Sequence, residues 1–163
     1  MKYEIVEIEK FNGGKAKIYS IIPDGDSTTL FDNFIKENKS QFLDELKEIN
    51  KTLYNIGHNF GARESFFKIN EGKMGDFVCA LYDDSERNLR LFCMRFGMDV
   101  VILGGGAEKP KSARRWQDDP ILSQHALQMI KYANDIIRRL DVGDLVWSSD
   151  LTELEGNLDM NEN

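Results

Sequence analysis

The residues best suited to chemistry gather between Gly104 and Pro120. Gly104-Gly105-Gly106 is followed by Lys109, Lys111, Arg114 and Arg115, with Trp116 adjacent and Asp118-Asp119 just before Pro120. A glycine run can bend backbone amides around a phosphate. The spacing is neither G-x-x-x-x-G-K-[ST] nor G-x-G-x-x-G opening directly into a helix. The simpler reading of the glycines is a strand ending in a bulge or bend where another backbone passes close. The cations can neutralise phosphates, while Trp116 offers a face for base stacking or for an arginine. The competing reading is a solvated loop in which the arginines pair with Asp118 and Asp119, each pair contributing about 1 kcal/mol or less.

Further cations lie upstream. Arg90 and Arg95 in LRLFCMRF are five apart, so a regular strand points them to opposite faces. Arg90 alternates with Phe92, Met94 and Phe96, and Arg95 with Leu89, Leu91 and Cys93. An arginine on either mostly apolar face needs a partner or an edge position. Lys68 and Lys73 extend a basic surface on neighbouring strands, or only protect edges. His58 and His125 read as ordinary helical residues, Asp83-Asp84 as turn residues, and Cys79 and Cys93 as buried thiols with no metal-site spacing around them. H-E-x-x-H and G-x-S-x-G are absent.

The elements that must position these residues follow from periodicity. Tyr3 to Ile8 alternate, Asn12-Gly13-Gly14 is a turn signal and Ala16 to Ile22 is β-rich, which predicts an opening hairpin. Ser27 can cap a short helix bearing Leu30, Phe31, Phe34 and Ile35. Ser40 can cap a second whose stripe is Phe42, Leu46, Ile49, Leu53 and Ile56, with Gly57 at its end. The runs 65–69, 76–82, 88–96 and 100–103 have period two and short turns, which predicts an antiparallel meander. Pro120, capped by Asp118 or Asp119, opens a last helix with an apolar face from Leu122 to Leu140 and a stop at Gly143. The expected class is α+β, a mostly antiparallel sheet with helices packed on one face.

Composition sets the outer limits. At 163 residues, 41% apolar and 30% charged, the chain fits a single globular domain over 1–147, followed by an acidic tail over 148–163 read as solvated. A net charge of -7 argues against a surface that binds nucleic acid all over, and leaves room for a local basic patch. No apolar run is long enough to cross a bilayer and the start is charged, so the expectation is a cytoplasmic protein without a membrane partner.

The order of two helices, a meander ending in a basic loop and a final helix resembles the RelE/HigB-like toxins of bacterial toxin-antitoxin modules. GDFVCALYDD, NLRLFCMRFGMDVVILGGG and EKPKSARRWQDDP carry the likeness, over roughly 42–140. Arg90 matches the family's middle-strand arginine, and Lys109 and Lys111 its lysine-rich loop. The resemblance implies a ribosome-associated mRNA endoribonuclease needing no metal or cofactor, neutralised by a cognate helix-turn-helix antitoxin. In that chemistry a ribose 2′-OH attacks the adjacent phosphate, cations stabilise the phosphorane and another group accepts a proton. The implied catalytic set is Arg90, Lys109, Lys111, Arg114, Arg115 and Tyr82, the last standing in for the family's terminal Tyr or His. The implied RNA-binding set is Lys68, Lys73, Arg95 and Trp116. The chain departs in its acidity, its N-terminal hairpin and its acidic tail. The alternative is a non-catalytic protein- or nucleic-acid-interaction module on the same scaffold.

Overall fold

A computed structural model describes residues 1–69, 77–110 and 116–162. The strands are β1 (Tyr3–Glu7), β2 (Lys17–Pro23), β3 (Phe67–Lys68), β4 (Val78–Leu81), β5 (Leu89–Phe96), β6 (Val100–Glu108), β7 (Leu145–Trp147) and β8 (Leu154–Gly156). The helices are α1 (Leu30–Asn38), α2 (Leu43–Asn55) and α3 (Pro120–Asp141). The class is α+β. Six strands form one sheet in the order β1-β2-β6-β5-β4-β3, antiparallel throughout except for the parallel pairing of β2 with β6. The meander β3 to β6 is thus in place, and the opening hairpin joins it alongside β6 rather than at the nearer edge.

Alternation along the strands divides the core. Tyr19, Ile21, Phe92, Met94, Val100 and Ile102 pack with Leu122, Ala126, Met129 and Ile136 of α3. Ile18, Leu91, Cys93, Val101 and Leu103 pack with Phe31 and Phe34 of α1 and Leu46, Ile49 and Leu53 of α2. The period-two pattern therefore supplies apolar residues to a second helical layer as well as to the first.

The helix starts depend on local chemistry. Thr29 caps α1 in a reciprocal capping box with Asp32, displacing the expected Ser27. Phe42, not Ser40, occupies the N-cap of α2 and makes no side-chain cap bond. Asp119 accepts from the Leu122 amide at 2.9 Å, Pro120 opens α3, and Gly143 at φ +80° follows its end. Past Asn55 the backbone widens into a π turn over Ile56–Phe60. A side chain on Gly57 would overlap the Phe11 carbonyl, so this glycine permits a close approach rather than ending the helix.

The acidic segment read as a solvated tail is tied into the domain through 162. β8 pairs with β7, the Leu154 amide donates to the Tyr19 hydroxyl, and Leu154 and Met160 are buried in the α3-side core. The Ile5 amide donates to Leu158 O, and an isolated bridge joins Glu4 to Asp159, so this segment covers the free edge of β1. The apolar residues spaced between its acids provide the reason: Leu154, Leu158 and Met160 can bury only by folding back. Among the described residues no helix is long and apolar enough to cross a membrane.

Candidate functional site: a buried carboxylate gripped by three cations

Arg90 sits on β5 among Phe92 and Met94, on the face whose apolar character demands a counterion. The counterion is Asp83, just beyond β4. Arg90 donates from Nε to Oδ2 and from Nη2 to Oδ1, both at 3.0 Å, a two-pronged pairing matched to a carboxylate. Its side chain is only 5% exposed, and that of Asp83 only 4%. Lys109, following β6, donates to Asp83 Oδ1 at 2.7 Å and to the Asp84 carbonyl at 2.8 Å. Lys68 of the edge strand β3 donates to the same Oδ1 at 2.8 Å. One carboxylate thus gathers cations from three strands of the meander.

The electrostatics follow from this geometry. Burial by itself would raise the Asp83 carboxyl; hydrogen bonds from Arg90, Lys109 and Lys68 outweigh it and hold the group down at about 2. Among the described residues, three positive charges meet one negative in the cluster. Asp84 and Glu86 on the adjoining turn and Glu45 in the pocket beside Asp83 offset that excess, and Arg87 adds to it. The outer members form an accessible rim, with Lys68 side chain 26% exposed and Lys109 13%. Tyr82 stands beside them, 58% exposed, with the Lys68 ammonium 5.8 Å from its ring centroid.

The structure therefore brings together Arg90, Lys109, Lys68 and Tyr82, and adds Asp83, which sequence reasoning assigned to its turn. Arg95 does not join them. It lies on the opposite face, donates to the Ala62 carbonyl at 2.6 Å and faces the Phe67 ring, roles that hold the backbone. Lys73, Lys111, Arg114 and Arg115 lie outside the described residues. Trp116 opens a short 3-10 turn ahead of α3. His58 stacks on Tyr54 at 4.0 Å with Nε2 near the Lys10 carbonyl, a packing role.

The glycine run lies inside β6, not at its end. Between the pairs Leu91–Gly106 and Cys93–Leu103 the register shifts, with one extra residue on β6, so Gly104 and Gly105 form a bulge. A Cβ on Gly106 would come within 2.0 Å of the Arg90 carbonyl, and one on Gly104 within 2.6 Å of Met129 Sδ. The expected close backbone approach is therefore present, and the strand continues beyond it to carry Lys109 to Asp83. No protein-family model, curated protein or solved structure matches this chain.

Proposed function

We propose that the chain is an RNA-binding module on a RelE/HigB-like scaffold, holding a phosphodiester backbone at the cationic rim around Asp83 without cleaving it. The observation that carries this reading is the convergence of Arg90, Lys109 and Lys68 on one buried carboxylate. Arg90 serves as a fixed charge behind the rim. Lys68 and Lys109 can each turn an N–H toward a phosphate, and Tyr82 offers an exposed ring on which a base can stack. Cleavage by a 2′-OH needs a proton acceptor. Asp83, at about 2 and already accepting four hydrogen bonds, is too weak a base for that role.

One observation favours the second reading, a toxin that cuts mRNA on the ribosome and is silenced by an antitoxin: the exposed Tyr82 hydroxyl lies on the residue next to the cation cluster. Two measurements separate the readings. Fluorescence anisotropy with a labelled single-stranded RNA is expected to show binding that weakens with salt, and Lys68→Ala/Lys109→Ala to weaken it at least about tenfold with a shallower salt dependence. The labelled RNA stays full length. Unchanged affinity in the double variant would reject the site. Cleavage of translated mRNA on induced expression, lost in Tyr82→Phe, would establish the toxin reading instead.

A further inference from the structure

A second concave site lies over the glycine bulge. Pro23, Leu30 and Phe34 form its apolar wall, and Gly105 and Gly106 its floor, around about 230 Å³ of space. Its polar groups among the described residues are Asp26, Asn33, Glu37, His125 and Gln128, with no described Lys or Arg lining it. Gly105 lets His125 and Gln128 come down close over the floor: a Cβ there would come within 2.9 Å of His125 Nδ1 and 3.9 Å of Gln128 Oε1. The glycine run is thus architectural on its Gly104 and Gly106 sides and leaves a floored opening at Gly105.

The sign of the site is the reverse of a phosphate cradle. Asp26 and Glu37 bring two negative charges to its mouth. Burial holds the His125 imidazole below its ordinary value against the opposing pull of Glu37, so it faces the cleft neutral at pH 7. The acidic field extends to α3, where burial, Asp26 and Asp24 together raise the Tyr132 hydroxyl. An anion entering here would meet the two carboxylates of Asp26 and Glu37. A planar or tetrahedral nitrogen cation would meet two carboxylates, the Gln128 amide oxygen and an apolar wall for its hydrocarbon stem.

We infer that the cleft over Gly105 binds an organic cation, a guanidinium or primary ammonium group, between Glu37 and His125. This site is separate from the Asp83 cluster and does not depend on RNA binding there. The group can arrive on a free small amine or on an arginine or lysine side chain of a peptide, and the two sources are told apart by the probes.

The test is an amide NMR titration of the full chain with agmatine, with a Gly-Arg-Gly peptide and with inorganic phosphate. Agmatine is expected to shift the Gly105, Gly106 and His125 amides in a saturable way, with dissociation constants at least about fivefold weaker in Glu37→Gln. Glu37 is exposed, so this variant keeps the fold. Gly105→Ala fills the floor without changing charge and is expected to weaken binding as well. Saturation by the peptide but not by agmatine supports the site with a protein-borne cation as its ligand. Shifts with phosphate and none with either cation, or equal affinity in Glu37→Gln, would overturn the inference.

Discussion

Replacing Asp83 with asparagine preserves the shape of the side chain and removes the negative charge to which Arg90, Lys68 and Lys109 all donate. Two lines of reasoning set the magnitude. Lowering the carboxyl from its usual 3.8 to about 2 corresponds to about 2 kcal/mol of native-state stabilisation at neutral pH. Breaking a buried pair costs about 3–5 kcal/mol, and Arg90 is the most buried of the three cations, its two bonds to Asp83 weakened when the carboxylate becomes a neutral amide. Lys68 is exposed enough to turn to water and adds little. Asp83→Asn is therefore expected to lose about 2–5 kcal/mol, read by urea unfolding followed by circular dichroism. The pH dependence has a fixed sign. The folded carboxyl is more acidic than the unfolded one, so its contribution is complete above the usual 3.8 and disappears as pH falls toward about 2. The gap between wild type and variant should shrink by more than about 1 kcal/mol between about pH 7 and about pH 2.5. Arg90→Met on the Asp83→Asn background should recover part of the loss, because a buried guanidinium no longer faces a neutral amide. A variant within about 0.5 kcal/mol of wild type at neutral pH, or a gap that ignores pH, would refute the cluster as the organiser of this face.

Three other outcomes follow from the geometry. Met160→Ala removes a fully buried side chain from the α3-side core and should cost about 2–5 kcal/mol in the same assay, whereas a solvated tail would show no change. Gly106→Ala forces a Cβ to within 2.0 Å of the Arg90 carbonyl and should cost about 1–3 kcal/mol or more, while Gly14→Ala, with nothing within 4 Å, stays within about 0.5 kcal/mol of wild type. Cys79 and Cys93 face each other across β4 and β5 with sulfurs 3.6 Å apart; their mutual hydrogen bond, then burial, push the Cys93 thiol up. Both should resist a thiol-specific chromogenic reagent in the native protein and react stoichiometrically in urea; native labelling within the mixing time would contradict their burial.

Much of this arrangement was legible in the sequence, and the rest was hidden for identifiable reasons. The meander, the Asp119-Pro120 start of α3 and the stop near Gly143 follow from period, caps and turn residues, which act within a few positions. The need of Arg90 for a partner was legible from Phe92 and Met94 on the same face. The identity of the partner was not, because Asp83 and Asp84 carry a turn signature of their own; Asp84 does accept from the Glu86 amide. Lys68 and Lys109 stand 15 and 26 residues from Asp83, and only the strand order brings them to it. Acidic composition similarly concealed Leu154, Leu158 and Met160, whose partners lie on strands at the other end of the chain. The parallel pairing of β2 with β6 had no local signal, since nothing in a strand's own residues names a neighbour that far along.

That pairing sets a timetable. The Ser20 hydroxyl donates to the Leu103 carbonyl across a separation of 83 residues, the Tyr3 hydroxyl reaches Asp135, and Glu4 bridges to Asp159. At about 5–20 residues per second, a nascent chain emerging from the ribosome carries β2 for roughly 4–17 s before its parallel neighbour β6 exists. During that interval Ile18, Tyr19 and Ile21 have no sheet to join, and the hairpin presents both an open edge and an oily surface to whatever is nearby. Docking of the first strands is therefore a late event in biogenesis, gated by synthesis of β6 and completed only when the last buried methionine has cleared the exit tunnel.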